Sequence, residues 1–406
     1  MRPLHRFLTQ SFVLSLCVAT ALVGCGEDKA DASAKAGAAA DKDAIKTIEA
    51  VIKDNEVIAG FFTLYRKPSD GSVHLRIKPD QLGKEFIHTV TLGDGVVEGG
   101  HFRGQYRDNK VLKITRHFNR VEFVQVNTLF YLDPESPLSR AQDANVPDAV
   151  LAVAKVVAED KASGDILVDV GGVFLGEALS QIKASPRPDE KPGKAFTLGK
   201  LNKDRSKIVK LASYPDNTLV VTDLVYEDQA PKVRGGEDVT DSRYVSAIIQ
   251  HNFIAMPANQ YQPRRDDYRV GYFTDRITDL TSREAAPYRD VVNRWHLVKK
   301  DPTAKISDPV EPITWWIENT TPYEFRDLIK TAGLSWNSAF EKAGFSNAIQ
   351  IKVQPDDATW DAGDIRYNVL RWTSSPTPPF GGYGPSFSNP RTGQIIGADI
   401  MLEFAY

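Results

Sequence analysis

The sequence predicts an α+β protein, an N-terminal antiparallel β-rich region followed by a smaller α/β subdomain. Three observations carry this. Short runs of alternating apolar and polar residues, separated by tight-turn chemistry, recur from residue 60 onward. A strand, helix, strand pattern with a clear helix start occupies the stretch after residue 312. The 406 residues are 42% hydrophobic and 25% charged, enough for two or three cores. A net charge of -3 supplies no field for holding a polyanion, so no nucleic-acid partner is expected.

The chain begins with Arg2 and Arg6 ahead of an apolar run at 12–23 that is too short to span a bilayer comfortably, the layout of an export signal. The run ends in Leu22-Val23-Gly24-Cys25, which resembles the lipobox of bacterial lipoproteins. That resemblance implies cleavage after residue 24, lipidation of Cys25 and a membrane partner reached through the N-terminal lipid. Gly26, standing where an aspartate would signal inner-membrane retention, favours the outer membrane of a bacterial cell envelope. Cys17 falls within the signal, so the mature chain keeps one cysteine and has no internal disulfide. Residues 25–42 are small and charged, without an aromatic, as in a flexible tether.

A β-rich domain is expected over 43–230. Phe61-Phe62-Thr63-Leu64-Tyr65 and Val73-His74-Leu75-Arg76-Ile77 flank Ser69-Asp70-Gly71, a hairpin signal. Val111 to Thr115 and Val121 to Val126 alternate across a second turn, and strands are expected again near 165–170 and 219–222. Residues 231–311 read as a connecting region of unassigned fold, its Arg264-Arg265-Asp266-Asp267 run being solvated ion pairs.

Over 312–406 the strand Ile313-Thr314-Trp315-Trp316-Ile317 leads into Thr321-Pro322-Tyr323-Glu324, a capping box with proline at the first helical position. Phe325, Leu328, Ile329, Ala332, Trp336, Ala339, Phe340 and Ala343 share one helical stripe that Gly344 ends, and Gly333 within it is a local cost. Ile349-Gln350-Ile351-Lys352-Val353 follows as a strand, which makes it parallel to the first. Further strands are expected over 365–372 and 394–401.

Self-contained chemical motifs are few. The segment Gly193 to Leu201 has the wrong spacing for a phosphate loop, the glycines at 93–100 lack dinucleotide-binding spacing, and no Gly-x-Ser-x-Gly occurs. The histidines, His5, His74, His88, His101, His117, His251 and His296, include no i, i+4 pair. Asp356, Asp357, Asp361 and Asp364 crowd one loop without a calcium-loop register.

The order strand, capped helix, strand, strand, then Gly381-Gly382-Tyr383-Gly384-Pro385-Ser386-Phe387 and Gln394-Ile395-Ile396-Gly397-Ala398-Asp399-Ile400, resembles the upper half of a metzincin-type zinc metalloprotease domain. With the lipoprotein signal and the β-rich region, the whole chain resembles bacterial zinc-dependent metalloproteases that carry uncharacterised N-terminal domains. The resemblance implies a peptide or protein substrate laid along an edge strand at Gly384, Pro385, Ser386 and Phe387. It implies zinc in the full-length protein, held by a His-Glu-x-x-His-x-x-Gly-x-x-His helix that is missing here: no histidine follows His296. No catalytic residue and no metal ligand is therefore assigned to this chain, which is expected to be the incomplete and inactive N-terminal part of a cell-envelope zinc metallopeptidase. The other reading is a non-enzymatic envelope lipoprotein that binds a protein or polymer partner.

Overall fold

A computed structural model describes residues 46–183 and 193–404. The chain divides into compact units Met1–Ala44 and Ile45–Tyr406, and all described residues belong to the second. The expected signal, the tether and Cys25 lie outside the described residues. Among the described residues no helix is long and apolar enough to cross a membrane.

Eleven strands form one antiparallel sheet: β1 (Glu56–Ile58), β2 (Thr63–Arg66), β3 (Val73–Ile77), β4 (Glu85–Asp94), β5 (Tyr106–His117), β6 (Arg120–Gln125), β7 (Ala149–Glu159), β8 (Ile166–Asp169), β9 (Lys200–Ser213), β10 (Asn217–Glu227) and β11 (Tyr244–Ala255). Their spatial order is β1-β2-β3-β8-β7-β6-β5-β4-β11-β10-β9. Alternation decides the facing: in β3, Val73, Leu75 and Ile77 are buried while His74 and Arg76 are half-buried. The sheet rolls until its ends meet. The Phe61 amide donates to the Tyr214 carbonyl (2.7 Å), the Phe62 amide to Thr218 Oγ1 (2.9 Å), and Arg66 Nη2 to the Ile208 carbonyl (3.2 Å). Phe62, Phe86, Phe123, Phe174 and Phe253 fill the interior with Leu64, Leu112 and Ile114. Closure answers the edge-strand hazard that so wide a sheet carries.

The expected hairpins at 61–77 and 111–126 are present. The expected boundary at 230 is corrected: β11, assigned by sequence to the connecting region, sits inside the sheet between β4 and β10. The charged, glycine-bearing stretch at 231–239 reads as a linker but is a long loop joining two paired strands. The remaining connection, 256–312, holds only two-residue strand pairings and irregular backbone. In its charged run the partners are not neighbours within the run: Asp267 pairs with Arg269, and Arg264 lies over the Tyr272 ring.

The C-terminal part is a second, mostly parallel sheet. Strands β12 (Ile313–Ile317), β13 (Ile349–Val353), β14 (Asn368–Thr373) and β17 (Gln394–Glu403) lie in the order β13-β12-β14-β17, every pair parallel. Between β12 and β13 run helices α1 (Tyr323–Ser335) and α2 (Asn337–Lys342). Ile329 and Phe340 pack on Ile313, Ile317, Ile349, Ile351 and Leu370. At Gly333 the helix comes so close to β13 that a Cβ would lie 2.6 Å from Ile351 Cδ1, which is why glycine stands in an otherwise good helix.

Two helix expectations are corrected. The single stripe is broken at Trp336, and no residue of either helix is fully buried, with Leu328 66% and Trp336 65% exposed. The helix lies over β12 and β13 at one end of the sheet, so only part of its apolar stripe finds a partner. The capping box does not form either. Helical dihedrals start at Tyr323, Pro322 takes the cap position, and Thr321 Oγ1 is buried without a hydrogen-bond partner. Arg326 does the tethering instead, Nε donating to the Thr321 carbonyl (2.9 Å) and Nη2 to the Asn319 carbonyl (2.7 Å). Thr321→Val, which replaces the orphaned hydroxyl by a methyl of similar volume, is therefore expected to leave the thermal midpoint unchanged or raise it. A loss of about 1 kcal/mol on that substitution would restore the cap.

Candidate peptide-binding edge and its polar junction

Strand β17 is paired on both sides. On one side are β14 and, at the start of β17, the two-residue segment Arg294–Trp295, both parallel to it; on the other the chain returns antiparallel as β15 (Gly382–Tyr383) and β16 (Ser386–Ser388). The return is made by the turn at 389–393, where the Asn389 amide donates to the Gln394 carbonyl (2.8 Å) and the Gly393 amide to the Asn389 carbonyl (2.8 Å). Arg391 at the turn holds both carboxylate oxygens of Glu85 in β4 (2.7 and 2.6 Å).

The four residues expected to hold substrate are all on this edge but are not equivalent. Gly384 is exposed, Pro385 and Ser386 are half-buried, and Phe387 is 6% exposed. The Phe387 ring packs against Tyr106 (centroids 5.8 Å apart), so its side chain is a packing element between the two sheets. Pro385 is turned the other way. The Asp399 amide donates to its carbonyl (3.3 Å), so the backbone of Pro385 faces β17 and its missing N–H lies on the paired side. That lost donor is why the edge is two short strands. By alternation the backbone groups of Gly384 and Ser386 point away from β17, and no hydrogen bond reaches them among the described residues.

The rolled sheet covers the face of β14 and β17 opposite the helices. A Cβ at Gly104 (φ +81°) would collide with the Met401 side chain, and Phe102 meets the rings of Phe380 and Tyr383 at 5.1 and 5.4 Å. Arg103 reaches into a polar cluster beside the carboxyl ends of the parallel strands. Its Nη1 donates to the Trp372 carbonyl (3.2 Å) and its Nη2 lies 3.6 Å from Glu318. Arg371 lies 3.4 Å from Glu318 and 4.0 Å from Asp399. Burial pushes the Asp399 carboxyl up to about 7, against the pull of Arg371 and of the Val369 amide. Sequence reading missed this cluster, because its members are about 30 to 300 positions apart and carry no local spacing. A separate cleft of ≈ 730 Å³, bounded by Lys183, Asn202, Lys203 and Glu227, shares no residue with the edge.

The described histidines do not converge on a metal. His88 Nε2 and His251 Nδ1 lie 3.1 Å apart and bond to each other, enclosed by Phe174 and Phe253, and among the described residues no three His, Cys, Asp or Glu could hold an ion. Of the aspartate loop, Asp361 pairs with Lys210 and Asp364 with Arg366.

The fold and the edge together define a rolled antiparallel sheet clamped onto a parallel sheet with an antiparallel border. A family profile described as "Domain of unknown function (DUF5117)" matches residues 104–300, from just before β5 into the connecting region. No curated protein and no solved structure matches the chain.

Proposed function

We propose that this chain contributes the substrate-holding portion of a cell-envelope zinc metallopeptidase, lipid-anchored through Cys25, and that an extended peptide adds as a further strand along the edge formed by β15 and β16. The observation that carries the reading is the free outward backbone of Gly384 and Ser386 on an antiparallel border of an otherwise parallel sheet. Gly382 and Gly384 bear no side chain and are exposed, so a second backbone can approach closely. In such binding the main-chain hydrogen bonds give affinity with little regard to sequence.

The test is fluorescence anisotropy with a labelled eight-residue peptide of alternating Thr and Val, acetylated and amidated. N-methylation of alternate residues on the side facing the edge removes its donors and is expected to weaken binding about tenfold or more. Gly384→Pro, which removes an outward amide, is expected to act in the same direction. Equal affinity for plain and methylated peptides, or none for either, would sink the reading.

A further inference from the structure

The edge is open along part of its length and closed at one end. Asn109, in β5, donates from Nδ2 to the Ser388 carbonyl (2.9 Å) and to Ser388 Oγ (3.3 Å). Ser388 Oγ in turn donates to Asp275 Oδ2 (3.0 Å), which also accepts from Asn293 Nδ2 (2.8 Å). By the alternation that turns Gly384 and Ser386 outward, the Ser388 carbonyl belongs to the same outward row. The side chain of Asn109 therefore sits where the next pairing group of an added strand would be. Its backbone is fixed in β5, an inner strand held between β4 and β6, and its carboxamide is held by the two bonds to Ser388. The same strand places the Tyr106 amide 3.3 Å from Tyr383 Oη, so the rolled sheet touches this border at both ends.

We infer that Asn109 is the end wall of the peptide track, so that an added strand pairs only with Gly382 to Ser386. This rests on the peptide reading above and adds to it a length limit set by the rolled sheet. Five residues at about 3.4 Å each give a track of about 17 Å. A peptide longer than this gains no further main-chain bonds past Ser386. The carboxamide is held for its donor alone, since Asn109 Oδ1 is buried without a partner, and shortening the side chain removes one unsatisfied atom along with the wall.

The experiment uses the purified full chain and two acetylated, amidated Thr/Val peptides, five and eight residues long. Wild type is expected to bind both with nearly equal affinity. Asn109→Ala frees the Ser388 carbonyl and is expected to tighten the eight-residue peptide about fivefold while leaving the five-residue peptide unchanged. Asn109→Ser is measured alongside, with thermal unfolding of each variant, so that a folding defect in one is separated from the effect on length. Peptides that bind with the same length dependence in wild type and variants overturn the wall alone. Failure of both peptides to bind any form overturns the peptide reading and the wall with it.

Discussion

Replacing Asp399 by asparagine will stabilise the protein above pH 7 and change little near pH 4. Burial holds this carboxyl up at about 7, against an ordinary value of 3.8, with Glu318 and Asp361 adding to the rise. A carboxyl whose folded value is raised contributes stability that is complete below the unfolded value. That stability is lost as pH climbs through the folded one, here from about 4 to about 7. Roughly three pH units correspond to about 4 kcal/mol. Asparagine keeps an oxygen to accept from the Val369 amide (3.2 Å) and has no proton to lose. Urea unfolding of both forms at pH 4, 6 and 8 measures the difference. The expected difference grows with pH, and a pH-independent one would show that the carboxylate is well compensated by Arg371.

The opposite pH sense is expected of the histidine pair inside the rolled sheet. His88 and His251 are fully buried, stacked at 5.3 Å, and each leaves one ring nitrogen, His88 Nδ1 and His251 Nε2, without a partner. Burial first, and Lys110 opposite His88 as well, lower both, His251 to about 4. Nothing is gained or lost above pH 6.5, where both states are neutral. As pH falls from 6.5 to about 4 the unfolded chain takes up protons that the folded one refuses, and stability drops. His251 alone accounts for about 3 kcal/mol across that window. His88→Leu with His251→Leu, which keeps the interior filled, is expected to remove this acid lability. Its unfolding free energy relative to wild type should rise by at least that amount between pH 7 and pH 4. A parallel pH profile for the two proteins would mean that the rings accept protons in place.

The rolled sheet was legible because its faces differ: Val73, Leu75 and Ile77 alternate with polar neighbours, and Asp70-Gly71 marks a turn between two strands. Its closure was not, since Phe62 and Thr218 meet through side-chain and backbone bonds that no periodicity encodes. The parallel order of the second sheet followed from a strand, helix, strand reading, but the helix start did not. Thr321, Pro322 and Glu324 satisfy every local rule for a capping box, yet Arg326 and the packing of Thr321 beneath the helix win. On the edge, the turn-rich run around Gly384 and Ser386 marks a border segment, whereas the burial of Phe387 depends on Tyr106, some 280 residues away. Asn109, the residue that bounds the edge, offered no signal at all, being one polar side chain in an alternating strand.

The closure of the rolled sheet also sets a timetable for a chain that emerges from its N-terminus. β2 cannot complete its contacts until Thr218 has arrived, 156 positions after Phe62, and β4 lacks one neighbour until β11 is made. During that interval the strands made first have hydrogen-bonding edges and no permanent mates. Pairings this distant in sequence close slowly. Early hairpins such as β2 with β3 and β5 with β6 supply the local steps. Tyr244–Ala255 is the strand that locks the order, so a chain halted before it would hold correctly formed hairpins in an unfinished wall, the state most exposed to pairing with a second chain.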